Sequence, residues 1–308
     1  MTLRIVFAAV LCFTTAVSWG AIVFEGEIPS AHLGKPRRIH IYLPPSYDKE
    51  ARRKYPVLYV HDGQNAFSTA GPHAAFGWGS WDLDKTVDRL IAQKKMAEII
   101  MVAIDCSTNR YKEYRGPAGW TRGGESGPYQ QYERFLIEEL KPKIDREYRA
   151  KTTAKDTGTL GSSMGGVVSM ALGWDHPKTF GKIASLSGAF QVENRAFIKK
   201  VLGPYRGRKK TLKIYLDSGK TDYSGGDDGL EDTAEVAAEL RRIGWKKDLL
   251  HFVDDPLTDE QLRPLGLAEG KFKEALKSQH NELYWRLRAW RALEFLFPPD
   301  GESAPVSP

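Results

Sequence analysis

The stretch Gly161-Ser162-Ser163-Met164-Gly165-Gly166 limits what this chain can fold into more than any other. Ahead of it, Thr157-Gly158-Thr159-Leu160 has the composition of a short strand. Behind it, Val167-Val168-Ser169-Met170-Ala171-Leu172 opens an apolar helix. Glycines on both sides leave room for a sharp strand-to-helix turn and for close packing of the two elements. Ser163 then stands at the apex, its hydroxyl directed outward and the helix N-terminus aimed at it. A serine hydroxyl is a weak nucleophile. It needs a base to take its proton and an acid to orient that base.

The surrounding chain supplies a frame for such a turn. Arg38-Ile39-His40-Ile41-Tyr42-Leu43 alternates and stops at Pro44-Pro45, as a strand does. Tyr55 to Val60 and Ile99 to Ile104 are continuous apolar runs, the mark of strands buried on both faces. Ile183 to Leu186, Leu212 to Leu216 and Leu249 to Val253 read as further strands. Helical spacing is expected over Trp81 to Ile91, Tyr129 to Tyr148, Ala234 to Ile243 and Leu283 to Phe295. Strands alternating with helices predict an α/β fold, a mostly parallel sheet with helices on both faces. Ligands of such sheets bind at the carboxyl ends of the strands. The polar clusters starting at His61 and Asp217 fall at those ends.

Composition narrows the classes. A net charge of +6 over 308 residues is modest, and acidic and basic residues are interspersed. Arg37-Arg38, Arg52-Arg53-Lys54 and Lys246-Lys247 read as solvated surface, so no nucleic-acid partner is expected. Residues 1–20 have a basic start at Arg4, an apolar run from Ile5 to Val17, and small residues before a cut at Ala21. This is the pattern of a secretory signal peptide, too short to span a bilayer, and predicts a secreted or periplasmic protein. No later run approaches the ~18 apolar residues of a spanning helix, so no membrane partner is expected. Cleavage would remove Cys12 and leave Cys106 without an internal disulfide partner. Residues 21–298 are read as one catalytic domain and 299–308 as a disordered tail.

Several segments together resemble a known family. They are Tyr55 to Asn65, the Ser163 hexapeptide, Gly219-Lys220-Thr221-Asp222, and His280-Asn281-Glu282 with Trp285. Tyr42 to Tyr47 and Asn109-Arg110 with Glu113-Tyr114 are also similar to its patterns. The chain resembles, from about residue 37 to 296, the "Putative esterase" family of α/β-hydrolases. That family takes in feruloyl, acetylxylan and siderophore esterases, S-formylglutathione hydrolase and the mycolyltransferases. The resemblance implies an α/β-hydrolase fold and a serine carboxylic-ester hydrolase that needs no cofactor or metal.

In this fold class the acid follows the serine and the histidine follows the acid. Acid candidates after the strand ending at Leu216 are Asp217, Asp222, Asp227, Asp228, Glu231 and Asp232. Asp222 matches the family's Gly-x-x-Asp position and is the residue chosen. The remaining acids lie near Gly225-Gly226. Hard oxygens in a glycine-rich loop suit a calcium ion, but the spacing of these acids fails the known calcium-loop pattern, so a solvated acidic loop is the favoured of the two readings. His251 lies inside an apolar strand, so its role is read as structural. His280 precedes the final helix and is expected to be the base. His61 comes too early in the order but falls beside the site. The oxyanion donors are the N–H of Met164, which follows the nucleophile, and, by the resemblance, that of Gln64. Asp62, Gly63 and Trp81 are expected to line the substrate site, and Phe67, Phe76, Trp78 and Trp120 flank it or fill the core.

The expected substrate is a small-molecule or carbohydrate-linked ester, with feruloyl and siderophore esters among the candidates. An acyltransferase using the same residues, and a non-catalytic binding protein on the same fold, remain alternatives at this point, and the oligomeric state stays open. Pro256 to Gln279 departs from the family pattern. It is either a lid over the site or a surface excursion.

Overall fold

The computed structural model describes residues 19–117, 127–254 and 258–300, the side chain of residue 261 excepted. The expected signal segment up to residue 18, Trp120, Pro256 and the tail from residue 301 lie outside the described residues.

Eight strands form one sheet: β1 Ala21–Ile28, β2 Arg37–Leu43, β3 Val57–His61, β4 Ile100–Ile104, β5 Thr157–Ser162, β6 Lys182–Leu186, β7 Lys213–Asp217 and β8 Leu250–Val253. Their spatial order is β1-β2-β4-β3-β5-β6-β7-β8. β2 runs antiparallel to β1 and β4, and from β4 through β8 every pairing is parallel. This is the α/β-hydrolase fold. β1 is the one strand that the sequence pattern did not predict. As an edge strand it alternates half-buried Ile22 and Phe24 with exposed and charged residues, a pattern too polar to stand out.

Why the central strands read as continuous apolar runs is visible in the two cores. Val57, Tyr59, Ile100 and Val102 pack into one hydrophobic layer, with the helix Met164–Asp175, the run Pro128–Arg134, Phe135–Leu140 and Lys141–Glu147, and the helix Leu230–Ile243. The alternate residues Leu58, Val60, Met101 and Ala103 pack into the other, with the helices Leu83–Ala92 and Glu282–Leu296. Successive side chains point to opposite faces of a strand, and here both faces are dry. β3 and β5 are adjacent, Val60 opposite Leu160, so the loops after these strands open side by side at the carboxyl end of the sheet.

Candidate active site

The serine turn forms as its residues dictate. β5 ends at Ser162, the helix begins at Met164, and Ser163 between them has φ 54° and ψ −124°. A non-glycine residue at positive φ is strained and must be held by its surroundings. The Ser163 N–H donates to the Leu186 carbonyl (3.0 Å), and the Ser163 carbonyl accepts from Gly166 (3.0 Å) and Ala189 (3.1 Å). A Cβ on Gly161 would lie 2.5 Å from the Gly165 carbonyl carbon. Only glycine lets strand and helix approach that closely.

His280 stands between the helices Glu269–Lys277 and Glu282–Leu296. Asn281 caps the second of them, its Oδ1 accepting from the Tyr284 N–H (3.3 Å). The histidine loop is tied to the loop after β7. The Gln279 N–H donates to the Thr221 carbonyl (2.8 Å) and the Lys220 N–H to Gln279 Oε1 (2.9 Å). His280 Nε2 lies 2.9 Å from Ser163 Oγ. Its Nδ1 is hydrogen-bonded to Asp228 Oδ1. A carboxylate only accepts, so Nδ1 carries the proton and Nε2 is free to accept from the serine hydroxyl.

The acid expected at Asp222 is therefore corrected to Asp228. Asp222 Oδ1 is taken up inside its own turn by the Ser224 N–H (2.8 Å), the Ser224 hydroxyl (2.6 Å) and the Gly226 N–H (3.1 Å). The Ser224 hydroxyl holds its carboxyl below the usual range. Asp227 binds the N–H groups of Gly229 (2.9 Å) and Glu231 (3.1 Å) at the start of the Leu230–Ile243 helix. Asp232 pairs with Arg195. Asp228 alone of these is buried against the histidine, at 2 % exposure. Asp217 is buried too, but it accepts from Tyr215 (3.1 Å) and pairs with Arg288 (3.3 Å) behind the site.

On the other side of Ser163, β3 leads into Asp62 and the short turn Gly63–Asn65. A Cβ on Gly63 would sit 2.5 Å from the backbone N of Ile104, so the loop lies directly on β4. Gln64 is clamped to Cys106, whose N–H donates to its Oε1 (3.1 Å) and whose sulfur accepts from its Nε2 (3.3 Å). Met164 is the first residue of its helix, where a backbone N–H has no intrahelical acceptor. Asp62, at φ 59°, receives Arg110 through both oxygens (2.6 and 2.8 Å). Its carboxylate is thus committed to an ion pair. Sequence reasoning noted Arg110 as a family pattern but gave it no role.

A cavity of about 410 Å³ joins these elements, lined among others by Asp62, Gln64, Trp81, Ser163, His280 and Glu282. Trp81 packs on Trp285 with ring centroids 5.7 Å apart, and Trp285 meets the His280 ring edge-on at 5.1 Å. Phe76 and Trp78 also line it, whereas Phe67 is core at 1 % exposure and Gly63, expected to line the site, is packed against β4 instead. Glu282 is a functional candidate that the sequence reading named only as part of the family pattern after His280, with no role of its own. Burial pushes its carboxyl up to about 7, with Asp62 adding to the effect, and its Oε1 accepts from Asn65 (3.3 Å).

The two rejected histidines have other partners. His61 is 1 % exposed between the Tyr132 hydroxyl and Thr159 (both 2.8 Å), and burial lowers it to about 3. It belongs to the core and does not line the cavity. His251 lies on β8, stacked on Tyr215 and tilted against Phe295. Within the 256–279 insertion, Leu262 and Ala275 pack with Trp78, and Lys271 sits 3.9 Å from the Trp78 ring centroid. The insertion meets the cavity through the Trp78 loop, and none of its described residues lines the cavity. Among the described residues, no group of three or more His, Cys, Asp or Glu is placed to hold a metal ion, and no helix is long and apolar enough to cross a membrane.

Comparison with known proteins gives this geometry a family. The model of the family described as "Putative esterase" matches residues 30–288. Uncharacterized protein YbbA of Bacillus subtilis (strain 168) is 26% identical over 228 residues, covering 72% of this chain and 84% of that protein. Among solved structures, a ferulic acid esterase superposes with a TM-score of 0.65 at 20% identity, covering 91% of this chain and 98% of its own. The enterobactin esterase FES from Shigella flexneri superposes at 0.64 and 18% identity, covering 91% of this chain and 61% of that one. This chain belongs to the Putative esterase family, and it is a carboxylic ester hydrolase on an α/β-hydrolase fold.

Proposed function

We propose that the protein is a secreted serine esterase that works through an acyl-enzyme. The observation that carries this reading is the hydrogen-bonded line from Asp228 through His280 to Ser163 Oγ, which ends on a strained serine. Ser163 Oγ attacks the ester carbonyl carbon while His280 Nε2 takes its proton. The carbonyl oxygen becomes an oxyanion, held by the N–H groups of Met164 and Gln64. Collapse expels the alcohol, which receives the proton from His280, and Ser163 carries the acyl group. Water, deprotonated by His280, repeats the sequence and releases the acid. Asp228 keeps the imidazole in the productive tautomer and stabilises its charged form.

The substrate we propose is an ester with a planar aromatic acyl group or a carbohydrate alcohol. The aromatic lining from exposed Phe76 and the accessible edges of Trp78, Trp81 and Trp285 supports it, since flat rings pack on both. The neighbouring esterases act, by their names, on ferulic acid esters and enterobactin. Export is supported by the signal pattern in residues 1–20. The test is hydrolysis of 4-nitrophenyl acetate, feruloylated and acetylated xylan, and a trilactone siderophore by the wild type and Ser163→Ala. The variant is expected to lose at least about 10³-fold on the best substrate. Loss of less than about tenfold in a clean preparation refutes the reading.

A further inference from the structure

Behind the site lies a buried polar chain that hydrolysis as described does not use. Asp228 Oδ2, the oxygen facing away from His280, accepts from the Gly219 N–H (2.6 Å) and the Ser187 hydroxyl. Ser187 Oγ in turn accepts from Trp285 Nε1 (3.1 Å) and Arg288 Nη2 (2.8 Å). Tryptophan and arginine side chains are donors only. With two donors pointing at it, the Ser187 oxygen has one way to place its single proton, toward Asp228. The direction of the bond is therefore set by the neighbours.

Two features set this chain apart from ordinary packing. First, Ser187 has φ 45°, a strained value for a residue with a side chain. It is held there by its N–H on the Asp217 carbonyl (2.8 Å) and Asp217 Oδ1 (3.3 Å). Second, Arg288 and Asp217 are each 1 % exposed. An ion pair buried only for stability does best as a two-pronged fork, because desolvating both charges is costly. Here Arg288 makes one contact of 3.3 Å with Asp217 and its shorter bond, 2.8 Å, with Ser187. The guanidinium is oriented toward the serine. Ser187 follows β6, Asp217 ends β7, and Trp285 and Arg288 lie on the Glu282–Leu296 helix.

We propose that Ser187 is a positioning residue of the active site, its hydroxyl aimed by Arg288 and Trp285 so that Asp228 is locked in the orientation that serves His280. The inference rests on the proposed serine-esterase reading and extends it from three side chains to a chain that ends on a buried cation. Without the Ser187 hydroxyl, Asp228 Oδ2 keeps only the Gly219 N–H and the carboxylate can swing away from His280 Nδ1. Without the Arg288 charge, Ser187 loses its shorter donor.

The experiment measures kcat and KM on 4-nitrophenyl acetate for the full chain. Each kcat is divided by the active-site concentration from the 4-nitrophenol burst, so that unfolded protein drops out. Ser187→Ala is expected to lower kcat per site about 30-fold, the scale of one charge-assisted hydrogen bond, with KM within about threefold. Arg288→Met is expected to lower kcat per site about tenfold, and Arg288→Lys, which keeps a charged donor, to recover most of that loss. Should Arg288→Met fail to fold, the smaller Ser187→Ala change decides alone. A kcat per site within twofold of wild type in Ser187→Ala overturns the proposal. So does Arg288→Lys no better than a folded Arg288→Met. Wild-type rates in Ser163→Ala would overturn the serine-esterase reading itself.

Discussion

Glu282→Gln should stabilise the protein above neutral pH and leave it almost unchanged in acid. Glu282 opens the Glu282–Leu296 helix with its carboxyl in the active-site cavity. Burial raises that carboxyl from its ordinary 4.5 to about 7, Asp62 pushes the same way, and His280 and Arg110 oppose them. In the unfolded chain the proton leaves near 4.5, in the folded chain near 7. A raised folded value means that the group's contribution is fully present below the unfolded value and is lost as pH climbs through the folded one. Stability should therefore fall between these two values. The full difference corresponds to about 3 kcal/mol, and partial solvent contact reduces it to about 2 kcal/mol. Glutamine keeps an oxygen for the Asn65 amide but carries no charge to desolvate. At about 2–4 °C per kcal/mol for a domain of this size, Glu282→Gln should raise Tm by about 4–8 °C at pH 8. At pH 5 the two proteins should agree within about 2 °C. Thermal unfolding by circular dichroism at both values is the assay. An equal difference at the two pH values, or no gain at pH 8, refutes the reasoning.

Arg110→Met leaves the Asp62 carboxylate, 8 % exposed, without its partner. It should cost about 2 kcal/mol in urea unfolding, and adding Asp62→Asn should return part of that, as a double-mutant cycle reads it. Gly161→Ala forces a Cβ into the Gly165 backbone. Soluble yield and Tm should both fall, by more than for Ser162→Ala, since nothing in the turn can give way. Replacing residues 258–276 with a short Gly/Ser linker removes the support of the Trp78 loop. The kcat/KM for bulky aromatic esters should drop at least about fivefold more than that for acetate esters; equal losses would show that the segment only positions His280.

The frame was legible in the sequence because both faces of β3 and β4 are buried, so Val57 to Val60 and Ile100 to Ile104 show no polar interruption. The turn at Ser163 was legible because glycines mark it on both sides, and at Gly161 a Cβ would meet the Gly165 backbone at 2.5 Å. His280 followed from order along the chain. The acid did not. Asp222 and Asp228 are six positions apart on one loop, and what separates them is burial. Asp222 closes its own turn, while the approach of Ser187 and Gly219 draws Asp228 inward. Those neighbours come from the ends of β6 and β7, contacts that no local pattern encodes. Arg288 was hidden for the same reason. A basic residue on a helix is read as a solvated face until tertiary packing buries it.

The most direct test of the account follows the labelling of the chain by a fluorophosphonate, located by peptide mass spectrometry and timed in the wild type, Asp228→Asn and Asp222→Asn. The account predicts one adduct, on the peptide that contains Ser163. It also predicts labelling at least about 10³-fold slower in Asp228→Asn, where His280 loses its orienting carboxylate. Asp222→Asn should stay within about threefold of wild type, because the hydrogen bonds of its carboxyl lie within its own turn. An adduct on another residue, or a slower reaction in Asp222→Asn than in Asp228→Asn, would contradict it.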